Sequence, residues 1–229
     1  MQIISDSNRG KLLARGSKTL RIIALGDSII YGYGDYTGGG WVERLRRKWM
    51  AREDGGHILY NLGIRGDTAA KVSQRLEAEF RRRGELLRKE PDLIILSVGV
   101  NDSPRKGKPN GKLFTEFASF EDKLARLLDT AADLSQVLFV GMVPVDESKM
   151  PFSNYFYFNR ADQYRYKQAT KEACQQRNIP YLDIFDLWTI RGEEYILSRL
   201  ASDGLHPNVK GYETILEQVL SWQPFRELS

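Results

Sequence analysis

Short hydrophobic runs alternate with longer amphipathic stretches along the whole chain. The runs are almost continuous in Ile, Leu, Val and Phe, which is typical of strands buried on both faces of a sheet. The third run is the clearest, because Pro91 precedes it and Gly99 follows it. The pattern predicts five strands, at residues 20–26, 57–63, 92–98, 136–142 and 179–184.

Apolar residues recur every three or four positions between these runs, as on one face of a helix. The predicted apolar faces are Trp41, Leu45 and Trp49; Val72, Leu76 and Phe80; Phe117, Phe120, Leu124, Leu127, Leu128, Ala131 and Leu134; and Val209, Tyr212, Ile215, Leu216 and Val219. A further helix with a thin apolar face is predicted over residues 160–177. We expect the last helix to begin at Pro207, whose fixed φ suits the first helical position.

Strands that alternate with helices imply right-handed βαβ units and a parallel sheet covered on both faces. The sequence therefore predicts a three-layer α/β fold. We expect residues 20–229 to form one catalytic domain and residues 1–19 to be a peripheral leader. Ligands bind outside the carboxyl ends of the strands in such folds, so the residues just after each strand are the candidates for chemistry.

Composition is that of an ordinary globular protein and excludes a largely disordered chain. The 229 residues are 41% hydrophobic and 28% charged, and Cys174 is the single cysteine. One cysteine allows no intrachain disulfide, which favours a reducing compartment. No apolar run approaches the roughly 20 residues of a membrane helix, and the N-terminus lacks a secretory pattern. We expect a cytoplasmic protein in which Cys174 is a packing residue.

The formal net charge of +4 is only mildly basic. Two basic runs, at residues 44–48 and 81–89, lie in amphipathic helical patterns and are interleaved with glutamates. We interpret both as solvated helix faces and expect no nucleic-acid partner.

Four polar loops follow predicted strands or precede the last helix. They are Gly26-Asp27-Ser28, residues 61–68, Gly99-Val100-Asn101-Asp102, and Asp203-Gly204-Leu205-His206. Each alone is common turn and capping chemistry. A carboxylate three residues before an imidazole, however, can hold the ring tautomer that leaves Nε2 free as a base. The other histidine, His57, begins a strand and is interpreted as structural.

The fold brings these loops to one edge of the sheet, where together they supply a nucleophile, oxyanion donors and an Asp–His pair. That is the set of groups that acyl transfer requires. Two distant histidines and one cysteine provide no metal-ligand cluster, so we expect neither a metal nor another cofactor.

The four blocks resemble those of the SGNH hydrolases, also called GDSL esterases and lipases. The resemblance implies a flavodoxin-like five-stranded parallel sheet and a serine hydrolase of small-molecule carboxylic esters. It identifies Ser28 as the nucleophile and Asp203 and His206 as its triad partners. The oxyanion hole would be formed by Ser28, Gly66 and Asn101. Gly63 is the competing assignment for the glycine, and Gly66 is preferred because it directly precedes Asp67-Thr68.

Two other functions, nucleotide binding and ligand binding without catalysis, fit the sequence less well. A nucleotide-binding loop is not supported, because the third glycine of a G-x-G-x-x-G pattern falls on Thr37. A non-catalytic ligand-binding protein on the same fold is disfavoured by the intact set of site residues. A fluorophosphonate directed at serine would separate either of these from an esterase.

The substrate is less clearly indicated. Residues 150–166 hold seven aromatic side chains, among them Phe152, Tyr155, Phe156 and Tyr157. These four line the predicted site as a substrate-binding wall, or else the segment packs under the next helix. The family includes carbohydrate acetyl esterases and thioesterases, which remain alternatives. The length of the chain favours short acyl groups, and the sequence predicts no oligomeric state.

Overall fold

The structure is a computed structural model that describes residues 19–52, 56–83 and 90–228. The strands are β1 (Arg21–Gly26), β2 (Ile58–Gly63), β3 (Leu93–Ser97), β4 (Arg105–Lys106), β5 (Gln136–Val140), β6 (Phe156–Tyr157) and β7 (Tyr181–Leu182). The helices are α1 (Ser28–Tyr31), α2 (Gly40–Met50), α3 (Ala69–Arg82), α4 (Phe117–Leu134), α5 (Arg160–Gln176), α6 (Ile184–Thr189), α7 (Glu193–Leu197), α8 (Val209–Ser221) and α9 (Gln223–Arg226). Two 3₁₀ turns lie at Val100–Asp102 and Glu147–Lys149.

Five strands form one parallel sheet in the order β2-β1-β3-β5-β7. Counted within the sheet, this is the flavodoxin-like order 2-1-3-4-5, so the predicted fold class is confirmed. Gly26 lies opposite Gly63 on one side and Ser97 on the other. The carboxyl ends of the three neighbouring strands therefore end at the same level, and the loops that follow them meet there.

Helices cover both faces of the sheet. Helix α2 packs on α8, and α3 packs on α4, which in turn packs on α5. The central strand β3 is buried along its whole length, as are its neighbour β1 after Arg21 and the helical residues that face them, including Trp41, Leu76 and Phe120. The hydrophobic periodicities thus located the core correctly.

Several boundaries differ from the predictions by one or two residues, as at the fourth predicted strand, which ends at Val140 and not at residue 142. The fifth predicted strand, residues 179–184, is paired only at Tyr181–Leu182, because Asp183 caps α6 by accepting a hydrogen bond from the N–H of Asp186. The prediction that Pro207 takes the first helical position is wrong. Asn208 is the N-cap of α8, with its side chain accepting from the N–H of Gly211, and Pro207 instead bridges to Leu200.

The sequence pattern did not predict the two-stranded antiparallel sheet of β4 and β6. We call residues 105–112 together with β6 the flap. It joins the loop after β3 to the aromatic segment after β5, with Lys106 opposite Phe156. Its strands are too short for period-2 patterning to show.

Two further predictions concern the N-terminal leader and the basic runs. The leader at residues 1–19 lies outside the described residues except for Thr19, as does part of the second basic run. Within the helices that are described, arginines of both runs pair with acidic neighbours, for example Arg46 with Glu43 and Arg83 with Glu79. No helix in the described ranges is long and apolar enough to cross a membrane.

Candidate active site

Ser28 lies at a tight junction between β1 and α1. A side chain on Gly26 would place its Cβ 2.0 Å from the carbonyl oxygen of Ser97, so only glycine fits there. Asp27 caps α1 by accepting a hydrogen bond from the N–H of Ile29 at 2.9 Å. Ser28 is consequently the first residue of the helix, at the edge where the other strands also end.

The loop before α8 places His206 on Ser28. The Nε2 atom of His206 lies 2.9 Å from Oγ of Ser28, and its Nδ1 atom lies 2.7 Å from Oδ2 of Asp203. The other carboxylate oxygen of Asp203 accepts hydrogen bonds from the N–H groups of Leu205 and His206 at 2.9 and 3.0 Å. Both serine and histidine are buried, each only 4% exposed.

The Asp203 carboxylate defines the state of the ring. Burial acts to raise the pKa of Asp203, but hydrogen bonds from the His206 ring and from two backbone N–H groups outweigh it and lower the pKa. An ionised carboxylate only accepts hydrogen bonds, so Nδ1 must carry the proton. Nε2 is then an acceptor for the hydroxyl of Ser28, as a general base requires.

Aromatic rings hold the imidazole from two directions. The rings of Tyr33 and His206 meet edge to face with centroids 4.5 Å apart, and Phe152 meets the same imidazole at 5.8 Å. The backbone of Tyr33 is itself fixed, since its N–H donates to the carbonyl of Ser28 and its carbonyl accepts from the hydroxyl of Tyr212. The position of His206 therefore depends on packing as well as on Asp203.

The three predicted oxyanion donors are Ser28, Gly66 and Asn101. The N–H of Ser28 begins a helix and has no partner within it. The Nδ2 atom of Asn101 donates one of its two hydrogens to the carbonyl of Asp67, at 3.0 Å, and its second hydrogen is left to donate to a substrate. Gly66, at φ +79, is exposed, and its N–H has no hydrogen-bond partner among the described residues.

The competing glycine, Gly63, has a different place. Its N–H donates to Oδ1 of Asn61 at 3.1 Å, and a Cβ there would lie 2.2 Å from the backbone nitrogen of Tyr31. Gly63 thus permits the close approach of β2 and α1, and its N–H is already used. The geometry favours Gly66 as the donor.

A buried ion pair ties these loops together. Arg75 on α3 donates to Oδ2 of Asp67 at 2.8 Å and to the carbonyl of Gly26 at 3.0 Å. Asp102 accepts from the N–H of Ala69 and from the hydroxyl of Thr115, both at 2.9 Å. Sequence reasoning did not single out Arg75, because an arginine on an amphipathic helix gives no signal of its partner.

Two buried carboxyl groups beneath the site, Asp27 and Asp102, form no ion pair with any residue that the structure describes. Burial, reinforced by the nearby Asp102 and Asp67, raises the pKa of Asp27 to about 7. Burial likewise raises the pKa of Asp102 to about 6. The sequence reveals the positions of these carboxyl groups but not their loss of solvent.

The aromatic segment, residues 150–166, was predicted either to line the site or to pack under the next helix, and its residues differ in which of these they do. Phe158 and Tyr166 are buried in the core, the second against Phe120 on α4. Phe152, which touches His206, remains half-buried, and Tyr155 is 47% exposed. Phe156 and Tyr157 form β6 of the flap and are also half-buried. Phe152 thus borders the site, whereas Phe158 and Tyr166, the latter on α5 itself, pack in the core.

The remaining candidates are structural. His57 is buried and accepts a hydrogen bond from the N–H of Leu20 at Nδ1, with its ring against Trp49. Cys174 is buried on α5, and burial raises its pKa to about 12. No group of three or more His, Cys, Asp or Glu side chains within the described ranges is arranged to hold a metal ion.

Comparison with known proteins identifies the family of the chain. Residues 24–214, which include all four polar loops, match the model of the GDSL-like lipase/acylhydrolase family. The chain belongs to this family. It is a GDSL-type enzyme, and its reaction class is the hydrolysis of carboxylic esters.

Relatives of this GDSL-type chain cover most of its length. A GDSL esterase/lipase of Arabidopsis thaliana is 22% identical over 221 residues, which are 89% of this chain and 81% of that protein. Thioesterase 1/protease 1/lysophospholipase L1 of Escherichia coli K12 is 24% identical over 200 residues, 86% of this chain and 80% of its own.

Solved structures share the fold. The lipase/acylhydrolase of Enterococcus faecalis is 22% identical, has a TM-score of 0.68, and covers 92% of this chain and 95% of its own. The acetyl xylan esterase Axe2 of Geobacillus stearothermophilus is 18% identical, with a TM-score of 0.67 and coverages of 92% and 94%.

Proposed function

We propose that this GDSL-type enzyme cleaves small or short-acyl esters through an acyl-enzyme on Ser28. The observation that carries the proposal is the continuous line of hydrogen bonds from Asp203 through His206 to Oγ of Ser28. A hydroxyl in contact with the free nitrogen of a carboxylate-oriented imidazole is the arrangement that activates a serine nucleophile.

The reaction follows from these contacts in two steps. His206 takes the hydroxyl proton as Ser28 attacks the ester carbonyl, and the tetrahedral oxyanion is held by the N–H groups of Ser28 and Gly66 and the amide of Asn101. His206 then gives its proton to the leaving alcohol. In the second step His206 deprotonates a water molecule, which attacks the acyl carbonyl. The bond from the acyl carbon to Oγ then breaks, the acid departs, and His206 returns the proton to Ser28.

The flap and the aromatic segment support a preference for short acyl groups. Strand β6 contributes two aromatic residues, and a bridge from Phe156 to Phe152 joins it to the ring that meets His206, so the apolar wall beside the site is short. Phe152, Tyr155, Phe156 and Tyr157 are its aromatic members, and we propose that they contact the substrate. Residues 20–229 would then form a single catalytic domain that acts without a metal or other cofactor.

Two other substrate classes would use the same groups. The Escherichia coli relative is named a thioesterase and Axe2 an acetyl xylan esterase. Ser28 and its partners attack a thioester or a carbohydrate acetyl group by the same steps. The hydrolysis rates of phenyl acetate, S-phenyl thioacetate and acetylated xylobiose rank these classes directly.

The test is hydrolysis of a p-nitrophenyl ester series from acetyl to palmitoyl. We expect kcat/KM to be highest at two to four acyl carbons and to fall by about 10³-fold or more in Ser28→Ala. Ser119→Ala, at an exposed position of α4, is the matched control and should behave as wild type. Equal rates in wild type and Ser28→Ala would show that Ser28 is not the nucleophile. Turnover of no ester in the series would favour a ligand-binding protein, and a maximum at long chains would overturn the short-acyl preference.

A further inference from the structure

An arginine lies at the rim of the site, beside the proposed oxyanion donor. Arg65 immediately precedes Gly66, and its guanidinium carbon lies 3.9 Å from the centroid of the Tyr33 ring. That same ring meets His206 edge to face. We propose that Arg65 is a specificity residue that selects esters whose leaving alcohol carries a carboxylate or phosphate group. This inference rests on the proposed function.

The guanidinium is held in place before any substrate binds. Stacking on an aromatic face restricts its motion and leaves its edge donors free to bind an anion in the plane of the group. The Tyr33 ring on which the guanidinium stacks is held in place, because the backbone of Tyr33 is hydrogen-bonded to both Ser28 and Tyr212. A preorganised donor loses little conformational entropy on binding, so its contact with an anion retains more of its strength.

The position of Arg65 points to the leaving group. The alcohol oxygen must approach Nε2 of His206, since that atom returns the proton. Tyr33 borders the imidazole, so an alcohol that departs on that side passes the Arg65 guanidinium stacked on the Tyr33 ring. An anionic substituent on the alcohol would meet the guanidinium as the ester oxygen meets His206.

Arg65 has no acidic partner in the described part of the chain. It forms no ion pair there and is exposed to solvent. The acidic groups nearest in sequence and at the site are already engaged, Asp67 by Arg75 and Asp203 by His206. An unpaired cation at the mouth of a buried nucleophile is available to a charged substrate.

The flap adds positive charge to the same rim. Lys106, Lys108 and Lys112 lie in a segment without acidic residues between Asp102 and Glu116. None of the three forms an ion pair with a described residue, and Lys108 and Lys112 are exposed. The flap pairs with the aromatic segment, whose Phe152 bridges to Phe156 and meets His206, so its lysines add to the positive charge of Arg65. Such a field attracts anionic substrates.

The experiment compares two acetyl esters that differ in the charge of the alcohol. The probes are 4-acetoxybenzoate and its neutral methyl ester, and 4-acetoxyphenyl phosphate forms a second anionic arm. Each kcat/KM is divided by the rate of hydroxide-catalysed hydrolysis, which removes the difference in leaving-group reactivity. The readout is the ratio of the normalised anionic value to the neutral one.

We expect Arg65→Met to lower this ratio three- to thirtyfold, mainly through KM, while the neutral ester is little affected. Arg65→Lys should give an intermediate ratio, because it keeps the charge and loses the planar stack. Arg82→Met removes the same charge from the far end of α3, roughly 20 Å along the helix, and should leave the ratio unchanged. The anionic arm with the larger loss identifies carboxylate or phosphate as the preferred group.

The outcomes separate this inference from the function on which it rests. An unchanged ratio in Arg65→Met, with hydrolysis of both esters still dependent on Ser28, overturns the role of Arg65 and leaves the esterase intact. An equal drop with the neutral and anionic esters also overturns it, since it would show a structural role for Arg65. Hydrolysis that does not depend on Ser28 overturns both proposals.

Discussion

The side-chain amide of Asn101 donates a hydrogen bond to the backbone carbonyl of Asp67, with 3.0 Å between Nδ2 and the oxygen. This bond joins the loop after β3 to the loop after β2. It fixes the amide plane and leaves the second Nδ2 hydrogen to point elsewhere. A donor held in this way before the reaction begins is what electrostatic stabilisation of an oxyanion requires.

Asn101→Ala should therefore lower kcat by about 10²–10³-fold, with a smaller change in KM. Steady-state kinetics with p-nitrophenyl acetate measure both constants. Asn61→Ala is the matched control, because the amide of Asn61 on β2 also makes two backbone hydrogen bonds, donating to the carbonyl of Ile30 on α1 and accepting from the N–H of Gly63. It should lower the free energy of unfolding with less than a tenfold effect on kcat. A similar small effect from Asn101→Ala would contradict the oxyanion role.

Asp203→Asn should separate tautomer control from folding. Asparagine retains an oxygen for the N–H groups of Leu205 and His206, so the turn should persist. Its NH₂ would face Nδ1 and favour the wrong tautomer of the ring. We expect kcat to fall by about 10³–10⁴-fold with little change in the melting temperature. A variant that keeps more than a tenth of the wild-type kcat would show that the carboxylate is dispensable.

The raised pKa of Asp27 makes stability depend on pH near neutrality. Burial moves this pKa from 3.8 to about 7, so between these values the folded chain binds a proton that the unfolded chain does not. The resulting stabilisation is present below about pH 4 and is lost as the pH rises through about 7. The free energy of unfolding should fall by a few kcal/mol from this cause.

Asp27→Asn tests this directly, since its side-chain oxygen can still cap α1. Urea unfolding at pH 5 and pH 8 should show that the variant gains stability relative to wild type at the higher pH. Asp35→Asn is the contrasting control. Burial acts to raise the pKa of Asp35, but the hydrogen bonds of its ion pair with Arg44 outweigh it and lower the pKa, so this carboxylate titrates below the range from pH 5 to pH 8. Parallel pH profiles for wild type and Asp27→Asn would refute the assignment.

Phe152→Ala should affect substrate and histidine together. Its ring contacts His206 and forms the inner end of the aromatic wall. We expect kcat/KM for p-nitrophenyl butyrate to fall about tenfold, and less for the acetyl ester, which has less apolar surface to bury. Tyr164→Ala, on the exposed side of α5 against Phe185, should leave the ratio of the two esters unchanged. Equal losses with both esters would confine Phe152 to a positioning role.

Periodicity was enough to predict the five-stranded sheet and the five longest helices, because the core is continuous along β1 and β3, but it did not predict the short helices such as α6 and α7. The blocks around Ser28, Asn101 and His206 also sufficed to identify the loops, since parallel strands bring their carboxyl ends to one edge. The contact of Arg65 with Tyr33 and the ion pair of Arg75 with Asp67 were not predicted. Each joins side chains from separate loops or helices, and neither leaves a local signal in the sequence.

Helix-capping hydrogen bonds explain two of the element boundaries that were predicted wrongly. Asn208 and not Pro207 sets the start of the last helix. The side-chain oxygen of Asn208 accepts a hydrogen bond from the N–H of Gly211 in the first turn, and proline has no side-chain acceptor. Asp183 ends the last strand for the same reason. Gly63 and Gly66 look alike in sequence, and only the structure shows that the N–H of Gly63 is already hydrogen-bonded while Gly66 is exposed.

The most direct test of the central claim is covalent labelling by a fluorophosphonate, read by intact mass and peptide mapping. The account predicts one adduct per chain, on the peptide that contains Ser28, with slower labelling in Asp203→Asn and none in Ser28→Ala. An adduct on another residue, or folded wild-type protein that does not react, would contradict an acyl-enzyme on Ser28.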